Sequence, residues 1–264
     1  MIEGEMKMYK KVQNFLKERE VPKDIYENIG YMCHAGSNIF GTNNKDSDVD
    51  LRGIVIPTED YILGLKEFEH LKKAEGEGNI NLSNDLDIEL YSLKKVMLEA
   101  LGGHCIPFEM LFLSNEMKIH QDDKLKKLFD NKEIFLSKKF VKHYLAMNKQ
   151  FEYKIEITKE KLKNPLSINR IEKFGFETKN ASKAIQHFYL LKEFLDTNEI
   201  IFYQKEREHL LNVKEGKVSL DLIKKEINEL KIEVEGKLKN STMQEKPKFE
   251  DVNQLYKDII SGLI

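Results

Sequence analysis

The 264-residue sequence has few features of secreted, membrane-spanning or disulfide-rich proteins. It has two cysteines, Cys33 and Cys105, which are too few for a disulfide framework and lack the spacing of a metal site. This cysteine usage fits a reducing compartment, and we expect a cytoplasmic protein. Apolar runs are all shorter than a membrane span, and the first residues, MIEGEMKMYKK, lack the apolar core of a signal peptide. We therefore expect no membrane association.

The sequence also has little net charge, −2 at pH 7, although 33% of its residues are charged and 41% are hydrophobic. This composition predicts a soluble globular protein that is long enough to bury a sizeable core. A nearly neutral chain is not attracted to nucleic acid as a whole, so any such contact would depend on local basic patches. The lysine-rich stretches are interleaved with glutamate, which favours solvated helix faces over an RNA-binding track.

The hydrophobic periodicity changes near residue 135. Before that point, short apolar or alternating runs predict four strands, at residues 29–33, 48–56, 68–71 and 85–91. After it, the helical period dominates residues 138–163, 174–197 and 220–239, with one strand signal at residues 200–203. We predict an α/β (α+β) domain over residues 1–135 and a mostly helical domain over residues 136–264.

The segment from Ala35 to Pro57 carries the clearest sign of chemistry. A Gly36-Ser37 pair follows the first predicted strand, and Asp48-Val49-Asp50-Leu51 opens the second. Because alternate strand residues share a face, Asp48 and Asp50 are expected to point the same way. Two neighbouring carboxylates repel each other unless a divalent cation lies between them. An isolated Asp-x-Asp is more often a solvated turn, so the spacing to the glycine turn is what indicates a site.

A second acidic strand face follows in the sequence. The residues from Asp85 to Tyr91 alternate strictly, which places Asp85, Asp87 and Glu89 on one face. Two metal ions that neutralise the oxygens of a transferring phosphate need about three carboxylates from neighbouring strands. Each of the three acids is a candidate for the third ligand, and an exposed acidic strand face is the alternative interpretation.

These segments resemble the DNA polymerase β-type nucleotidyltransferase superfamily. GSNIFG at residues 36–41 and SDVDLRG at residues 47–53 are similar to a bacterial and phage branch of predicted nucleotidyltransferases, some of which are associated with RNA repair. FEMLF at residues 108–112 and FGFETKNA at residues 174–181 look like further landmarks, so the resemblance spans residues 30–215. It implies a nucleotidyltransferase fold, a short mixed sheet with flanking helices, followed by a helical domain that completes the nucleotide or acceptor site.

The resemblance implies a two-ion site for Mg²⁺ or Mn²⁺. Asp48 and Asp50 would be two of the metal-binding catalytic carboxylates. Asp87 would be the third, because DIELYSLKK from residue 87 resembles the stretch where that acid lies in the family. Asp87 would then orient or deprotonate the attacking hydroxyl. Asp85 and Glu89 stay open as alternatives.

The resemblance also implies a set of nucleotide-binding residues. Gly36 and Ser37 would hold the triphosphate, since glycine permits close backbone approach and Ser37 is expected to cap a short helix from Asn38. Lys179 lies near a predicted helix start, where a cation is unfavourable unless it binds a ligand such as the triphosphate. Arg52 either contacts the nucleotide or pairs with a carboxylate, and pairing is the favoured interpretation.

The implied function is metal-dependent transfer of a nucleoside monophosphate from an NTP to an acceptor hydroxyl. RNA, such as a cleaved or shortened tRNA, is the favoured acceptor by resemblance. The alternatives are adenylylation of a protein or a small molecule, and a non-catalytic binding module, in which idle clustered carboxylates would be destabilising. Acceptor recognition is put in doubt because residues 104–107 replace an expected Asn-Pro and because Asn180, Gln186 and Tyr189 stand where basic residues commonly recur.

Overall fold

A five-stranded mixed sheet forms the centre of the N-terminal part of the chain, with the strand order β3-β4-β2-β1-β5. The structure, a computed structural model, describes residues 2–43, 47–75, 85–203 and 205–263. The strands are β1 (Ile29–His34), β2 (Val49–Val55), β3 (His70–Ala74), β4 (Leu86–Ser92) and β5 (Lys118–Gln121). Strands β2 and β4 are parallel, and the other neighbouring pairs are antiparallel.

One face of this sheet carries the main apolar core. Helices α1 (Ile2–Glu18) and α2 (Lys23–Tyr26) supply buried side chains that cluster with alternate residues of the strands. The cluster is built from Val12, Phe15, Leu16, Val21, Ile25, Ile29, Met32, Leu51, Val55, Leu86, Ile88, Leu90 and Ile119. Because strand residues alternate, the polar residues between these positions lie on the opposite face.

Further helices follow the strands. They are α3 (Glu59–Ile62), α4 (Leu93–Gly102), α5 (Cys105–Leu111) and α6 (Lys126–Asp130). Ser92 caps α4, its hydroxyl accepting the Lys95 N–H at 3.2 Å, and Gly103, which has a φ of 78°, caps the other end of the helix. The Tyr31 hydroxyl donates to the Met110 carbonyl at 2.8 Å, which ties α5 to the sheet.

The rest of the chain is mostly helical. It contains α7 (Lys138–Ile155), α8 (Pro165–Phe174), α9 (Thr178–Thr197), α10 (Arg207–Lys214), α11 (Leu220–Asn240) and α12 (Phe249–Ile260). Helix α9 is central, since it packs against α7, α10 and α11 and is buried along most of its length. None of the helices in the described ranges is long and apolar enough to cross a membrane.

The chain forms two compact units. The sheet unit comprises Met1–Ile39, Asn43–Ser137 and Glu245–Ile264, and the helical unit comprises Phe40–Thr42 and Lys138–Gln244. The long stretch of the helical unit begins at Lys138, and helix α12 packs against α4 and α6 within the sheet unit. The predicted division into domains of residues 1–135 and 136–264 stays a prediction.

The mixed sheet with flanking helices and the helical C-terminal region are confirmed. Two predicted elements are wrong in detail, and one strand was not predicted. Residues 200–203 form no strand, because buried Phe202 packs edge-on against Phe40 and its apolar character reflects packing. Helix α7 ends at Ile155, whose carbonyl accepts the Glu177 N–H, and so does not extend to residue 163. The polar strand β5 was not predicted.

Candidate active site

Two neighbouring residue pairs on strands β2 and β4 define the candidate site. The parallel register places Asp50 beside Asp87 and, two residues along, Arg52 beside Glu89. We call Asp50 and Asp87 the acidic rung, and Arg52 and Glu89 the ion-paired rung. Both rungs lie on the sheet face opposite the apolar core, because Leu51 between them is a core residue. The sheet therefore presents four charged side chains in two adjacent rows.

Gly36 lies directly against the acidic rung. A Cβ placed on Gly36 would come within 2.0 Å of the Asp50 Oδ2 atom, and the residue has a φ of +59°. The adjacent Ala35 N–H donates to the Asp50 carbonyl at 2.8 Å. The close approach and the positive φ both require glycine at this position, which brings the predicted phosphate-binding turn to the predicted metal ligand.

The turn itself differs from the prediction. Gly36–Asn38 is a 3₁₀ turn of 3 residues whose preceding residue is Ala35, and Ser37 lies inside it without capping a helix. The predicted helix from Asn38 is therefore wrong, because the chain already turns at the positive φ of Gly36. Any anion bound here would meet backbone N–H groups of a turn rather than a helix dipole.

Asp87 has one paired and one unpaired carboxylate oxygen. Its Oδ2 atom lies 2.8 Å from the Lys72 Nζ atom, and its side chain is 13% exposed. Its Oδ1 atom is buried and has no hydrogen-bond partner among the residues that the structure describes. Leaving a buried carboxylate oxygen without a partner costs free energy, so such an atom in a folded protein calls for an explanation.

Both residues of the ion-paired rung have charged and hydrogen-bonding partners. Arg52 Nε donates to Glu89 Oε2 at 3.1 Å, and Arg52 Nη1 donates to Glu109 Oε2. The Tyr91 hydroxyl also donates to Glu89, at 3.1 Å. Burial acts to lower the pKa of Arg52, but Glu109 and Glu89 outweigh it and raise that pKa. Burial acts to raise the pKa of Glu89, but Arg52 outweighs it and lowers that pKa.

The three acids that the sequence left as alternatives, Asp85, Asp87 and Glu89, have different surroundings. Asp87 is the register partner of Asp50, whereas Glu89 is paired with Arg52. Asp48 lies just before β2 and Asp85 just before β4, and the Val49 N–H donates to the Asp85 carbonyl at 2.9 Å. Because Asp48 lies outside the strand, strand alternation does not determine the direction of its side chain.

The oxygen atoms of the acidic rung supply some, but not all, of the ligands that a hard cation needs. Within the described ranges, no three histidine, cysteine, aspartate or glutamate side chains are gathered into a metal-binding group. Two register-paired carboxylates and the unpaired Asp87 Oδ1 atom nevertheless supply the oxygen ligands that Mg²⁺ and Mn²⁺ prefer. The residues of the acidic rung therefore fit a divalent cation, and Asp48, two residues before Asp50, stays a predicted further ligand.

The chain matches, over residues 5–259, the family model RlaP, which is described as "RNA repair pathway DNA polymerase beta family". It belongs to this family. The predicted resemblance to polymerase β-type nucleotidyltransferases is thereby confirmed, and the protein is a polymerase β-family nucleotidyltransferase-like protein.

A curated relative and a solved structure are also similar to the chain. An uncharacterized 38.9 kDa protein of Enterobacteria phage T4, from the nrdC-mobD intergenic region, is 31% identical over 114 residues, which cover 42% of this chain and 34% of the phage protein. The chain thus matches about a third of that relative's length. A nucleotidyltransferase-like protein of Exiguobacterium sibiricum 255-15 superposes with a TM-score of 0.30 at 10% identity, covering 88% of this chain and 75% of that one. A TM-score this low supports no argument about the site.

Lys179 of this polymerase β-family protein lies in the helical unit, exposed in the first turn of α9. The buried Glu177 carboxylate caps that helix, accepting the Asn180 N–H at 2.7 Å and pairing with Arg170. An acid at this end already offsets the unfavourable dipole that made Lys179 a candidate ligand. Triphosphate binding by Lys179 stays a prediction.

Sequence reasoning missed two charged residues of this face. Lys72 on the edge strand β3 is the register partner of Glu89 and also reaches Asp87. Glu109 on α5 was noted as part of a landmark, but its pairing with Arg52 was not predicted. The alternation of HLKKA could have placed Lys72 on the acidic face once β3 was paired with β4.

Proposed function

We propose that the protein transfers a nucleoside monophosphate from an NTP to an acceptor hydroxyl, and that the acceptor is RNA. Family membership supports the reaction class, and the words "RNA repair pathway" in the family description favour an RNA acceptor such as a damaged or shortened tRNA. The single observation that carries the proposal is the acidic rung, in which Asp87 faces Asp50 and keeps one buried oxygen unpaired.

In this proposal Asp48, Asp50 and Asp87 hold Mg²⁺ or Mn²⁺. When bound there, two such ions would neutralise the charge on the attacking oxygen and on the pyrophosphate that leaves as the new phosphoester bond forms. The Asp87 carboxylate, one oxygen of which has no hydrogen-bond partner among the described residues, is proposed to orient the acceptor hydroxyl or to receive its proton. Asp50 contributes its carboxylate from the neighbouring strand, where its side chain packs against the Gly36 backbone.

Gly36 and Ser37 are proposed to hold the triphosphate. The missing side chain of Gly36 lets the backbone lie against Asp50, and the backbone N–H groups of the turn are suitable donors for phosphate oxygens. Arg52 has both of its carboxylate partners in the fold, so its contribution is to fix β2 against β4 and α5. Lys179 is proposed as a further phosphate ligand by family resemblance.

The test is incubation of the purified chain with each NTP labelled at the α-phosphate, Mg²⁺ or Mn²⁺, and mixed RNA. We expect label to appear on RNA and to disappear in Asp50→Asn. Asp251→Asn, which neutralises an exposed acid of α12, is the matched control and should label RNA as the wild type does.

Two other outcomes would contradict the proposal. Label on a protein or a small molecule, with none on RNA, would favour adenylylation of that acceptor. No transfer to any acceptor, together with NTP binding that Asp50→Asn leaves unchanged, would favour a binding module that retains the fold.

A further inference from the structure

Lys72 contributes a positive charge that contacts Asp87 of the acidic rung. Its Nζ atom lies 2.8 Å from Asp87 Oδ2 and 3.4 Å from Glu89 Oε1. In the antiparallel register Lys72 lies opposite Glu89, while Ala74 lies opposite Asp87. The lysine therefore leans along the sheet toward the acidic rung, and its shorter contact is to Asp87 rather than to its own register partner.

The position of Lys72 makes this contact easy to exchange. It lies on the edge strand β3, and its side chain is 51% exposed, whereas the Arg52 side chain is 18% exposed and bound to two carboxylates. Ion pairs with an exposed partner are weak, because water competes for the charges and the long lysine side chain loses rotamer freedom. A divalent cation at Asp87 would meet little resistance from such a partner.

The contact still has a purpose before any metal binds. Asp50 and Asp87 are register partners on adjacent strands, and their like charges repel each other. A nearby ammonium reduces that repulsion. The Glu89 Oε1 atom lies 3.4 Å from the Lys72 Nζ atom. Glu89 can therefore pair with the lysine when the lysine leaves Asp87.

We propose that Lys72 is a positioning residue that serves as an exchangeable counter-ion, holding Asp87 until a divalent cation displaces it toward Glu89. This inference rests on the proposed metal-dependent function and deepens it. It assigns Lys72 two opposite effects: the lysine stabilises the metal-free protein and weakens its affinity for metal. A lysine with a merely structural role would have the first effect without the second.

Lys72→Met tests the inference, because methionine keeps the length of the side chain and removes its charge. Lys73→Met is the matched control, since Lys73 is the next residue of the same strand and pairs with Ile88 on the other face of the sheet. The readouts are Mn²⁺ binding, followed by calorimetry and by the paramagnetic signal of free Mn²⁺, and melting curves in chelator and in Mn²⁺. Neither readout depends on the activity of the loaded enzyme.

We expect Lys72→Met to bind Mn²⁺ about threefold to tenfold more tightly than the wild type, because one competing positive charge is gone. It should melt lower than the wild type in chelator and gain more from added Mn²⁺. Lys73→Met should match the wild-type affinity. Lys72→Arg, which keeps the charge, should not gain affinity, and it serves as a second variant if Lys72→Met folds poorly.

Equal or weaker Mn²⁺ binding by Lys72→Met, beside measurable wild-type binding, would overturn the role of Lys72 and leave the proposed function standing. Equal tightening by Lys73→Met would also overturn it, because the effect would then be one of overall charge. If the wild type binds no Mn²⁺ with or without NTP, the metal-dependent function fails as well. The two failures are thus distinguishable.

Discussion

The acidic rung and the ion-paired rung are neighbours on the same two strands, yet their chemistry differs. Arg52 and Glu89 satisfy each other, and Glu109 and Tyr91 complete the set. Asp50 and Asp87 lie side by side with like charges, and one Asp87 oxygen has no hydrogen-bond partner within the described part of the chain. Both pairs lie on the same sheet face and in the same parallel register, so the difference lies in the side chains.

This difference indicates what each rung does. A group of oppositely charged, hydrogen-bonded side chains holds secondary-structure elements together, and removing its cation leaves the carboxylates uncompensated. A like-charged pair with an unpaired oxygen is unfavourable in isolation and is expected where a ligand supplies the missing charge. We therefore propose that the ion-paired rung stabilises the fold and that the acidic rung takes part in catalysis, and four substitutions test this proposal.

The largest effect is expected on activity, from Asp87→Asn. Nucleotide transfer should fall by a factor of about 10³ or more, because a carboxylate that we propose as a metal ligand is lost. The free energy of unfolding should stay within about 1 kcal/mol of the wild type, since the lost partner is the half-exposed Lys72. Transfer assays and denaturant unfolding check both expectations, with Asp251→Asn as the control. Full activity in Asp87→Asn would show that Asp87 is not the third carboxylate, and Asp85 would become the candidate.

The next largest effect is expected on stability, from Arg52→Met. Glu89 and Glu109 would be left without their shared cation, and breaking such a pair costs about 3–5 kcal/mol of unfolding free energy. Denaturant unfolding measures the loss. The triple variant Arg52→Met, Glu89→Gln, Glu109→Gln should recover much of it, because no uncompensated charge remains. A loss below about 1 kcal/mol in the single variant would show that Arg52 does not stabilise this rung.

Gly36→Ala should have a smaller effect on stability, of about 1–3 kcal/mol. The alanine would have to adopt the positive φ of Gly36, and its Cβ would lie 2.0 Å from Asp50 Oδ2. Gly175→Ala is the matched control, because Gly175 has a φ of +84° and no heavy atom within 4 Å of the added Cβ. The excess loss in Gly36→Ala should shrink when Asp50 is also replaced by alanine. Equal losses for the two glycines in either background would mean that Gly36 does not support the acidic rung.

The sequence predicts local features of this fold and site well. Strands β1, β2 and β4 and the Ser92 cap follow from short-range patterns, namely alternation and a serine before a helix. Alternation also places Asp87 and Glu89 on one face. It does not fix the register between two strands, and the register is what sets Asp87 beside Asp50.

Tertiary contacts account for what the sequence does not predict. Glu109 reaches Arg52 from α5, and nothing in either local pattern links them. Helix α12 has clear helical periodicity, but its place in the sheet unit depends on packing against α4 and α6. Strand β5 is short and mostly polar, so its apolar pattern is too weak to predict a strand.

The smallest effect should appear in the acid dependence of stability. Arg52 lowers the pKa of Glu89 in the folded protein despite its burial, so below its ordinary value of 4.5 the unfolded chain binds the proton more readily. The stabilisation from Glu89 is therefore complete above that value and is lost as the pH falls through the lowered pKa. Glu89→Gln should flatten the loss of unfolding free energy between neutral and acidic pH, by much less than the total effect of Arg52→Met. Denaturant unfolding at a series of pH values measures the slope.

The control is the same substitution in an Arg52→Met background. There Glu89→Gln should change the slope very little, because the main cause of the lowered Glu89 pKa is gone. A change as large as in the wild-type background would instead attribute the lowered pKa to Lys72 and Tyr91.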